Sequence, residues 1–190
     1  MEQGRMILIT GSPGTGKTTV ASLAAQQSDF ARSVHLRVDA FFGFLSKGAI
    51  LPQIAGSQRQ NRIVLEAALE AAKRYVRGGY EVVVDGVVGP WFLEPWVQAA
   101  RSCCEIHYIV LRASKAETMR RALGRRKLDS KTNAELVETM WGQWNALGRY
   151  EQNVIDTTEI SAAKCAASIQ EAVRAKSHLL APLQPGSPLE

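Results

Sequence analysis

Residues 11–19 read Gly-Ser-Pro-Gly-Thr-Gly-Lys-Thr-Thr, and this stretch decides the fold. It matches the pattern G-x-x-x-x-G-K-[ST] from Gly11 through Gly16, Lys17 and Thr18, which is typical of a phosphate-binding loop. The glycines permit backbone turns that a side chain would block. Consecutive backbone N–H groups can then point inward at the start of a helix and form an anion site.

The individual positions of this loop have separate expected roles. Lys17 would reach the β- and γ-phosphates of a nucleoside triphosphate, and the Thr18 hydroxyl would ligate Mg²⁺. Pro13 has no N–H to donate and would stiffen the loop through its fixed φ. We therefore predict nucleotide contacts from nine consecutive residues: Gly11, Ser12, Pro13, Gly14, Thr15, Gly16, Lys17, Thr18 and Thr19.

The flanks of the loop supply the setting that the motif requires. Residues 6–10 form an apolar, β-branched run that predicts a buried strand. After the loop, Val20, Leu23 and Ala24 recur at helical spacing. A strand, a glycine-rich loop and a helix in this order favour a nucleoside-triphosphate site over a chance cluster of glycines.

Strands and helices alternate along the rest of the chain. Apolar runs predict four further strands, at 34–38, 81–84, 105–111 and 153–156. A loop rich in Phe and Gly is expected from 41 to 48. Helices are expected at 59–77, near 90–101 and at 162–176, and capping boxes at Ser114 and Thr132 predict two more. This alternation predicts a parallel α/β sandwich with ligands at the carboxyl ends of the strands.

Length and composition favour one domain. With 190 residues and 46% hydrophobic content, the chain can bury a single core, which we expect to span 1–178 with a short lid near 121–132. The segment 179–190 is rich in Pro, Gly and Ser and is predicted to be a disordered tail.

Other bulk features exclude several classes of protein. No apolar run approaches the roughly 18 residues needed to cross a membrane, and the N-terminal stretch is too short and polar for a signal peptide. Three cysteines without metal-ligand spacing are consistent with free thiols in the cytosol. The net charge is +5, but the basic residues crowd 112–131, which favours a phosphorylated cofactor over a nucleic-acid substrate.

Two aspartates come at predicted strand ends, in the crevice that the loop should also face. Asp85 follows three valines and would hold Mg²⁺ directly or through water, unless Asp85-Gly86 is only a turn. Asp39 would position an acceptor hydroxyl and take its proton; the alternative is an N-cap for the turn at Phe41. The phenylalanines that follow would wall an acceptor pocket or pack in the core.

A basic helix supplies the last candidates. Arg121 and Arg125 lie four residues apart and so share one helical face. In a lid they would neutralise charge on a phosphoryl group in transfer. The alternative is a solvated basic face.

Together these residues resemble the small P-loop kinase family that includes chloramphenicol phosphotransferase, gluconate kinase, shikimate kinase and adenylate kinase. The resemblance covers about 5–176 and rests on four parts: the loop at 11–18, Asp39, Val82-Val-Val-Asp85-Gly86, and Arg121-x-x-x-Arg125. It implies a three-layer fold with a five-stranded parallel sheet in the order 2-3-1-4-5 and MgATP as phosphoryl donor. It also implies that Asp39 acts as the general base does in chloramphenicol phosphotransferase and polynucleotide 5′-hydroxyl kinases.

The acceptor is left open by the same comparison. The stretch around Arg59 lacks the AMP-binding segment of adenylate kinase, and the short lid lacks a four-cysteine zinc pattern. No signature selects gluconate or shikimate. The leading hypothesis is an ATP-dependent kinase of a small hydroxylated molecule. A nucleoside monophosphate kinase, a polynucleotide or toxin-type kinase and a nucleotide-binding module without turnover remain the alternatives.

Overall fold

Five parallel strands form one sheet in the order β2-β3-β1-β4-β5, which confirms the predicted order. The computed structural model describes residues 3–124 and 130–181. The strands are β1 (Arg5–Thr10), β2 (Ser33–Arg37), β3 (Glu81–Asp85), β4 (Ile106–Arg112) and β5 (Val154–Asp156).

Helices cover both faces of the sheet. The α-helices within the described residues are α1 (Lys17–Gln26), α2 (Val38–Gly43), α3 (Gln58–Arg77), α4 (Glu94–Ser102), α5 (Lys115–Leu123), α6 (Ser130–Gln143) and α7 (Ala162–Arg174). Two short 3₁₀ segments occur at Pro90–Phe92 and Gly148–Asn153.

The alternation of side chains along β1 divides the core in two. Ile7 and Ile9 pack with the apolar faces of α1 and α7. Met6 and Leu8 point the other way and pack with α3 and α4. All four side chains are fully buried. Because successive strand residues point to opposite faces, this uniformly apolar run is what a central strand with helices on both sides requires.

The register brings the carboxyl ends of neighbouring strands to one edge. Ile9 of β1 lies opposite Asp85 of β3, and Asp85 lies opposite Arg37 of β2. On the other side of β1, Thr10 lies opposite Val110 of β4. The loop that follows Thr10 therefore lies at the same edge as the residues that follow β2 and β3.

The second strand ends earlier than the sequence predicts. β2 stops at Arg37, and the start of the expected Phe-rich loop is helix α2. Val38 is 1% exposed and lies against Gly86, where an added Cβ would come within 2.7 Å of the Val38 side chain. This packing turns the chain inward directly after β2, so Asp39 lies in the first turn of a helix instead of at a strand end.

Of the two predicted capping boxes, only the N-cap half of the one at Ser114 is confirmed, because the Ser114 N–H donates to the Thr158 hydroxyl instead of the Glu117 carboxylate. The Ser114 hydroxyl accepts a hydrogen bond from the backbone N–H of Glu117 at 3.2 Å and caps α5. The prediction at Thr132 is wrong, because that residue lies inside α6.

The chain after α7 returns to the sheet. Leu179 forms an antiparallel bridge with His107, and the N–H of Leu180 donates to the Ile106 carbonyl at 2.9 Å. This segment covers the amino-terminal half of β4, which β5 does not reach. Of the helices that the structure describes, none combines the length and apolarity needed to cross a membrane.

Candidate active site

Three glycines shape the loop between β1 and α1. Gly11, Gly14 and Gly16 have φ values of 141°, 92° and 93°, in the region that side chains disfavour. At Gly11 a Cβ would come within 2.1 Å of the Leu111 carbonyl oxygen, whereas at Gly16 it would meet nothing within 4 Å. Gly11 is thus needed for close packing on β4, and Gly16 for backbone conformation alone.

These contacts predict unequal costs for two substitutions. Gly16→Ala should cost about 1–3 kcal/mol through backbone strain. Gly11→Ala should cost clearly more, because β4 must also move. Urea unfolding would measure both, with Gly43→Ala as the control, since Gly43 has an open surrounding and no positive φ. Equal losses at positions 11 and 16 would contradict the packing role of Gly11.

Two side chains of the loop and of α1 donate hydrogen bonds to the same backbone carbonyl, that of Ser12. The Lys17 ammonium donates to the Ser12 carbonyl oxygen at 2.9 Å, and the Thr15 hydroxyl donates to the same oxygen at 2.9 Å. Lys17 is the first residue of α1, and Gly16 is its N-cap. The first N–H groups of a helix have no carbonyl partner within the helix, so this turn presents donors and a cation together.

Neighbouring elements hold the loop from two sides. Thr118 of α5 lies against Gly14, where a Cβ would come within 2.8 Å of the Thr118 carbonyl oxygen. The Thr157 hydroxyl lies 3.4 Å from the Thr15 carbonyl oxygen, to which it donates. The loop is therefore preorganised by α5 and by the residues that follow β5.

Asp85 is buried at the end of β3, with 2% of its surface exposed. Its Oδ2 lies 2.9 Å from Nε2 of His35, on the adjacent strand β2. The two side chains project from the same face of the sheet, because Val83 pairs with His35 and Asp85 lies two residues further. His35 therefore fixes the orientation of this carboxylate.

The residues predicted for Mg²⁺ supply suitable donor atoms. Thr18 offers an exposed hydroxyl and Asp85 a carboxylate, and hard divalent cations prefer oxygen ligands. Within 3–124 and 130–181, no three His, Cys, Asp or Glu side chains cluster closely enough to hold a metal by themselves. Mg²⁺ in such sites commonly needs only one or two carboxylates, with substrate phosphates and water completing its shell. The donor set thus fits an ion that binds together with a nucleotide.

Asp39 is exposed in the first turn of α2. Arg37, and not Asp39, is the N-cap residue, so the proposed capping role is wrong. Val38 contacts the position of Gly86, and the Gly86 N–H donates to the Ile9 carbonyl at 3.3 Å. Asp39 consequently lies at the same edge of the sheet as Asp85 and the start of the loop.

The segment after β3 is tied to the end of β1. The Thr10 hydroxyl accepts from the Val88 N–H at 2.9 Å and donates to the Val88 carbonyl at 3.2 Å. The Tyr108 hydroxyl donates to the same carbonyl at 3.0 Å. These three bonds place Pro90 and Trp91 directly beyond the sheet edge.

A cleft of about 240 Å³ opens between this segment and the first half of α3. Its lining combines aromatic and aliphatic surface with three charged groups: Arg62, Leu65, Glu66, Trp91, Phe92, Glu94, Pro95 and Trp96.

The aromatic residues near the cleft have different roles. Trp91 is 46% exposed and packs edge-on against the buried Trp144, with the ring centroids 5.6 Å apart. Phe41 and Phe42 are partly buried against the core and do not line the cleft. Of the two alternatives for Phe41 and Phe42, the structure thus shows core packing, and the open aromatic wall of the cleft is Trp91.

Arg121 lies in the last turn of α5 and is already paired. Its guanidinium donates to Glu117 at 2.6 Å and to the Thr157 carbonyl at 2.8 Å. Hydrogen bonds from Arg120, and those from Arg121, lower the pKa of Glu117 to about 2. Thr157 in turn bonds to Thr15 of the loop, so Thr157 is the single residue that links Arg121 to the loop. Arg125 and the rest of 125–129, the central part of the expected lid, lie outside the described residues.

Residues 7–142 match the family model described as AAA domain. The chain belongs to this AAA-domain family. No curated protein sequence matches the chain. The match covers the loop, Asp39, Asp85 and Arg121, which are all residues predicted for the site.

Solved structures of two kinases and of a resistance protein share the fold of this AAA-domain protein. A sugar kinase from Janibacter sp. HTCC2649 is 14% identical over 90% of this chain and 95% of its own, with a TM-score of 0.65. Mycobacterium tuberculosis APS kinase, in complex with AMPPNP and APS, is 15% identical over 92% and 99%, with a TM-score of 0.67. A Deinococcus radiodurans tunicamycin resistance protein is 19% identical over 95% and 100%, with a TM-score of 0.64. These similarities confirm the small P-loop kinase fold.

Sequence reasoning missed the residues that position the site. His35 was part of an alternating strand pattern, and only the register of β2 against β3 brings it to Asp85. Thr10 was the last residue of a predicted strand, and its partner is 78 residues away. The available signal for Thr10 was a polar side chain at the end of a buried strand, whereas His35 was only a polar position inside a strand.

Proposed function

We propose that this protein is an ATP-dependent kinase that transfers the γ-phosphoryl group of MgATP to a hydroxyl group of a small molecule. The observation that supports it best is the position of two features at one sheet edge. One is the loop with Lys17 at the start of α1, and the other is the exposed carboxylate of Asp39 after β2. A phosphate cradle beside an accessible base is what transfer to an alcohol requires.

The donor half of the reaction would use the loop and α1. Backbone N–H groups would hold the β- and γ-phosphates, and Lys17 would exchange its bond with the Ser12 carbonyl for the phosphate oxygens. Thr18 and Asp85 would hold Mg²⁺, which when bound offsets negative charge on the phosphates. Asp85 would not need to reorient, because His35 already fixes it.

The acceptor half would use Asp39 and the cleft. Asp39 would accept a hydrogen bond from the acceptor hydroxyl and take its proton as the oxygen attacks phosphorus. The cleft of about 240 Å³ suits a small molecule better than a polymer. Trp91 offers a flat apolar surface to the body of the acceptor, and Arg62, Glu66 and Glu94 offer polar contacts.

Arg121 would act on charge that develops during transfer. Arg121→Ala should lower kcat by about tenfold or more while changing MgATP affinity much less, since interactions made mainly in the transition state appear in kcat. Arg120→Ala is a matched control, because Arg120 pairs with the same Glu117 but its side chain is 71% exposed. Steady-state kinetics and calorimetry would separate the two effects. Equal kcat values for the two variants would show that Arg121 has no part in transfer.

A panel of hydroxylated metabolites and antibiotics tests the proposal. We expect ADP release that depends on both MgATP and one class of acceptor. The control is the same panel with the Lys17→Ala variant. Release that does not depend on any acceptor would contradict the proposed activity.

Arg62 supports a second candidate, a nucleoside monophosphate kinase. A guanidinium group in the cleft can grip an acceptor phosphate. An acceptor phosphate is already ionised at neutral pH and needs no base, so the two candidates differ in their dependence on Asp39.

A further inference from the structure

The cleft between α3 and the segment after β3 has a charge opposite in sign to that of the chain. The whole protein carries a net charge of +5. The charged side chains that line the cleft are one guanidinium, Arg62, and two carboxylates, Glu66 and Glu94. A cleft with low-dielectric walls concentrates the field of the groups that line it. The cleft therefore attracts cations, although the protein as a whole repels them.

The two carboxylates differ in how their charge is used within the cleft. Glu66 lies one helical turn after Arg62 on α3, and side chains four residues apart on a helix are neighbours. Glu66 thus offsets the charge of Arg62. Glu94 lies in the first turn of α4, where the uncharged Gln98 amide donates to its Oε1 at 2.7 Å. The negative charge of Glu94 is therefore available to a ligand.

Trp91 presents a fixed aromatic face in the same cleft. Its ring packs edge-on against Trp144 and lies so close to Gly89 that a Cβ added there would come within 2.4 Å of the ring. These two neighbours hold the ring in place, while 46% of Trp91 stays exposed. The face of a tryptophan ring attracts an ammonium group that lies within about 6 Å of its centroid. The cleft thus combines two groups that attract an organic cation, an aromatic face and a carboxylate.

The uncharged part of the described lining is apolar. Ser, Thr, Asn and Gln are absent from it, and its residues are Leu65, Trp91, Phe92, Pro95 and Trp96. A sugar-like acceptor would place several hydroxyl groups against these walls without hydrogen-bond partners, which is unfavourable. An acceptor with an aliphatic or aromatic body would bury apolar surface there instead.

We infer, on the basis of the proposed function, that the acceptor is a small hydroxylated amine. Its ammonium group would lie over Trp91 beside Glu94, and its apolar body would fill the rest of the cleft. Its hydroxyl group would meet Asp39. The charge of this acceptor is opposite to that of an acceptor phosphate, so this class also differs from the nucleoside monophosphates.

Three ligands of nearly equal size test the charge preference of the cleft without turnover. They are 2-phenylethylammonium, 2-phenylethanol and phenylacetate, which are positive, neutral and negative at neutral pH. In NMR titrations of the wild-type protein, we expect the ammonium to bind about two- to fivefold more tightly than the alcohol. The carboxylate should bind most weakly. Failure of the ammonium to bind, or binding of either other ligand as tightly, would overturn the inference.

Glu94→Gln should remove most of the preference for the ammonium over the alcohol, because it removes the charge and keeps the shape of the side chain. Glu171→Gln is the matched control, since Glu171 is exposed on α7. The control should keep the preference of the wild type. The same titrations measure both variants. An unchanged preference in Glu94→Gln would overturn the placement of the ammonium beside this carboxylate.

Gly89→Ala tests the role of the fixed ring. Gly89 has φ −77° and ψ 171°, which alanine adopts without strain, so the added Cβ acts through its contact with Trp91. Displacement of the ring should weaken binding of 2-phenylethylammonium by about two- to fivefold. Gly142→Ala is the control, because a Cβ at Gly142 would meet nothing within 4 Å. Equal binding by the two variants would contradict a contact between the ammonium and Trp91.

Turnover measurements separate failure of this inference from failure of the proposed function. The acceptor panel should contain matched sets, in which each hydroxylated compound is present as an amine, its N-acetyl amide and a carboxylate. We expect the highest kcat/KM for the amines. A neutral or anionic compound with the highest kcat/KM would overturn the inference and leave the kinase activity intact. ADP release that depends on no acceptor would overturn the proposed function, while the titrations would still decide the charge preference of the cleft.

Discussion

Lys17→Ala should weaken MgATP binding by about ten- to a hundredfold, since a hydrogen bond to a charged group contributes about 1.5–3 kcal/mol. Lys17 is the first residue of α1 and is held beside the loop by its bond to the Ser12 carbonyl. The substitution removes the cation expected at the β- and γ-phosphates but leaves the backbone donors. Isothermal titration calorimetry with MgATP measures the change directly.

The control for this prediction is a variant that also loses one positive charge, but at a position far from the loop. Arg174→Ala is suitable, because Arg174 is exposed at the end of α7, which runs away from the sheet edge that carries the loop. Its affinity for MgATP should match that of the wild type. The Thr15 hydroxyl still bonds to the Ser12 carbonyl in Lys17→Ala, so the loop should stay folded. Equal MgATP affinity in Lys17→Ala and the wild type would contradict the proposed nucleotide site.

Asp39→Asn should slow phosphoryl transfer by about 10²-fold or more, the usual effect of losing a positioned base, and leave MgATP binding nearly unchanged. Asparagine keeps the shape of the side chain and can still accept a hydrogen bond, but it cannot take the proton. Asp39 is exposed and makes no capping bond at the N-terminus of α2, so the substitution should not disturb the fold. Single-turnover rates with an identified acceptor would show the effect.

Glu171→Gln is the matched control for Asp39→Asn, because it also replaces a carboxylate with an amide and Glu171 is exposed on α7. Its transfer rate should equal that of the wild type. A near-normal rate for Asp39→Asn would remove the case for a hydroxyl acceptor. It would then favour a phosphate acceptor, whose oxygen needs no base.

The sheet and the loop could be predicted because their signals are local. Residues 11–19 carry the glycines, the lysine and the threonine in one stretch, and the apolar run before them is long enough to identify β1. The alternation of strands with helices then indicated a parallel sheet. Its order came from the resemblance to the small P-loop kinases, and the structure confirms it.

The details of the site depend on contacts between distant residues. Val38 belonged to a predicted strand, but its packing on Gly86 starts a helix and changes the setting of Asp39. Arg121 was identified from its spacing to Arg125, yet its partners include the Thr157 carbonyl, 36 residues later in the chain. Neither contact leaves a signal in a local pattern of apolar and polar residues.

The chemical class of the product tests the central claim most directly. The measurement is ³¹P NMR of a reaction that contains MgATP, the protein and the acceptor that the panel identifies. A kinase acting on a hydroxyl group predicts a new phosphate monoester resonance that grows in step with ADP. A new phosphoanhydride resonance, or inorganic phosphate as the only new product beside ADP, would contradict the proposed function.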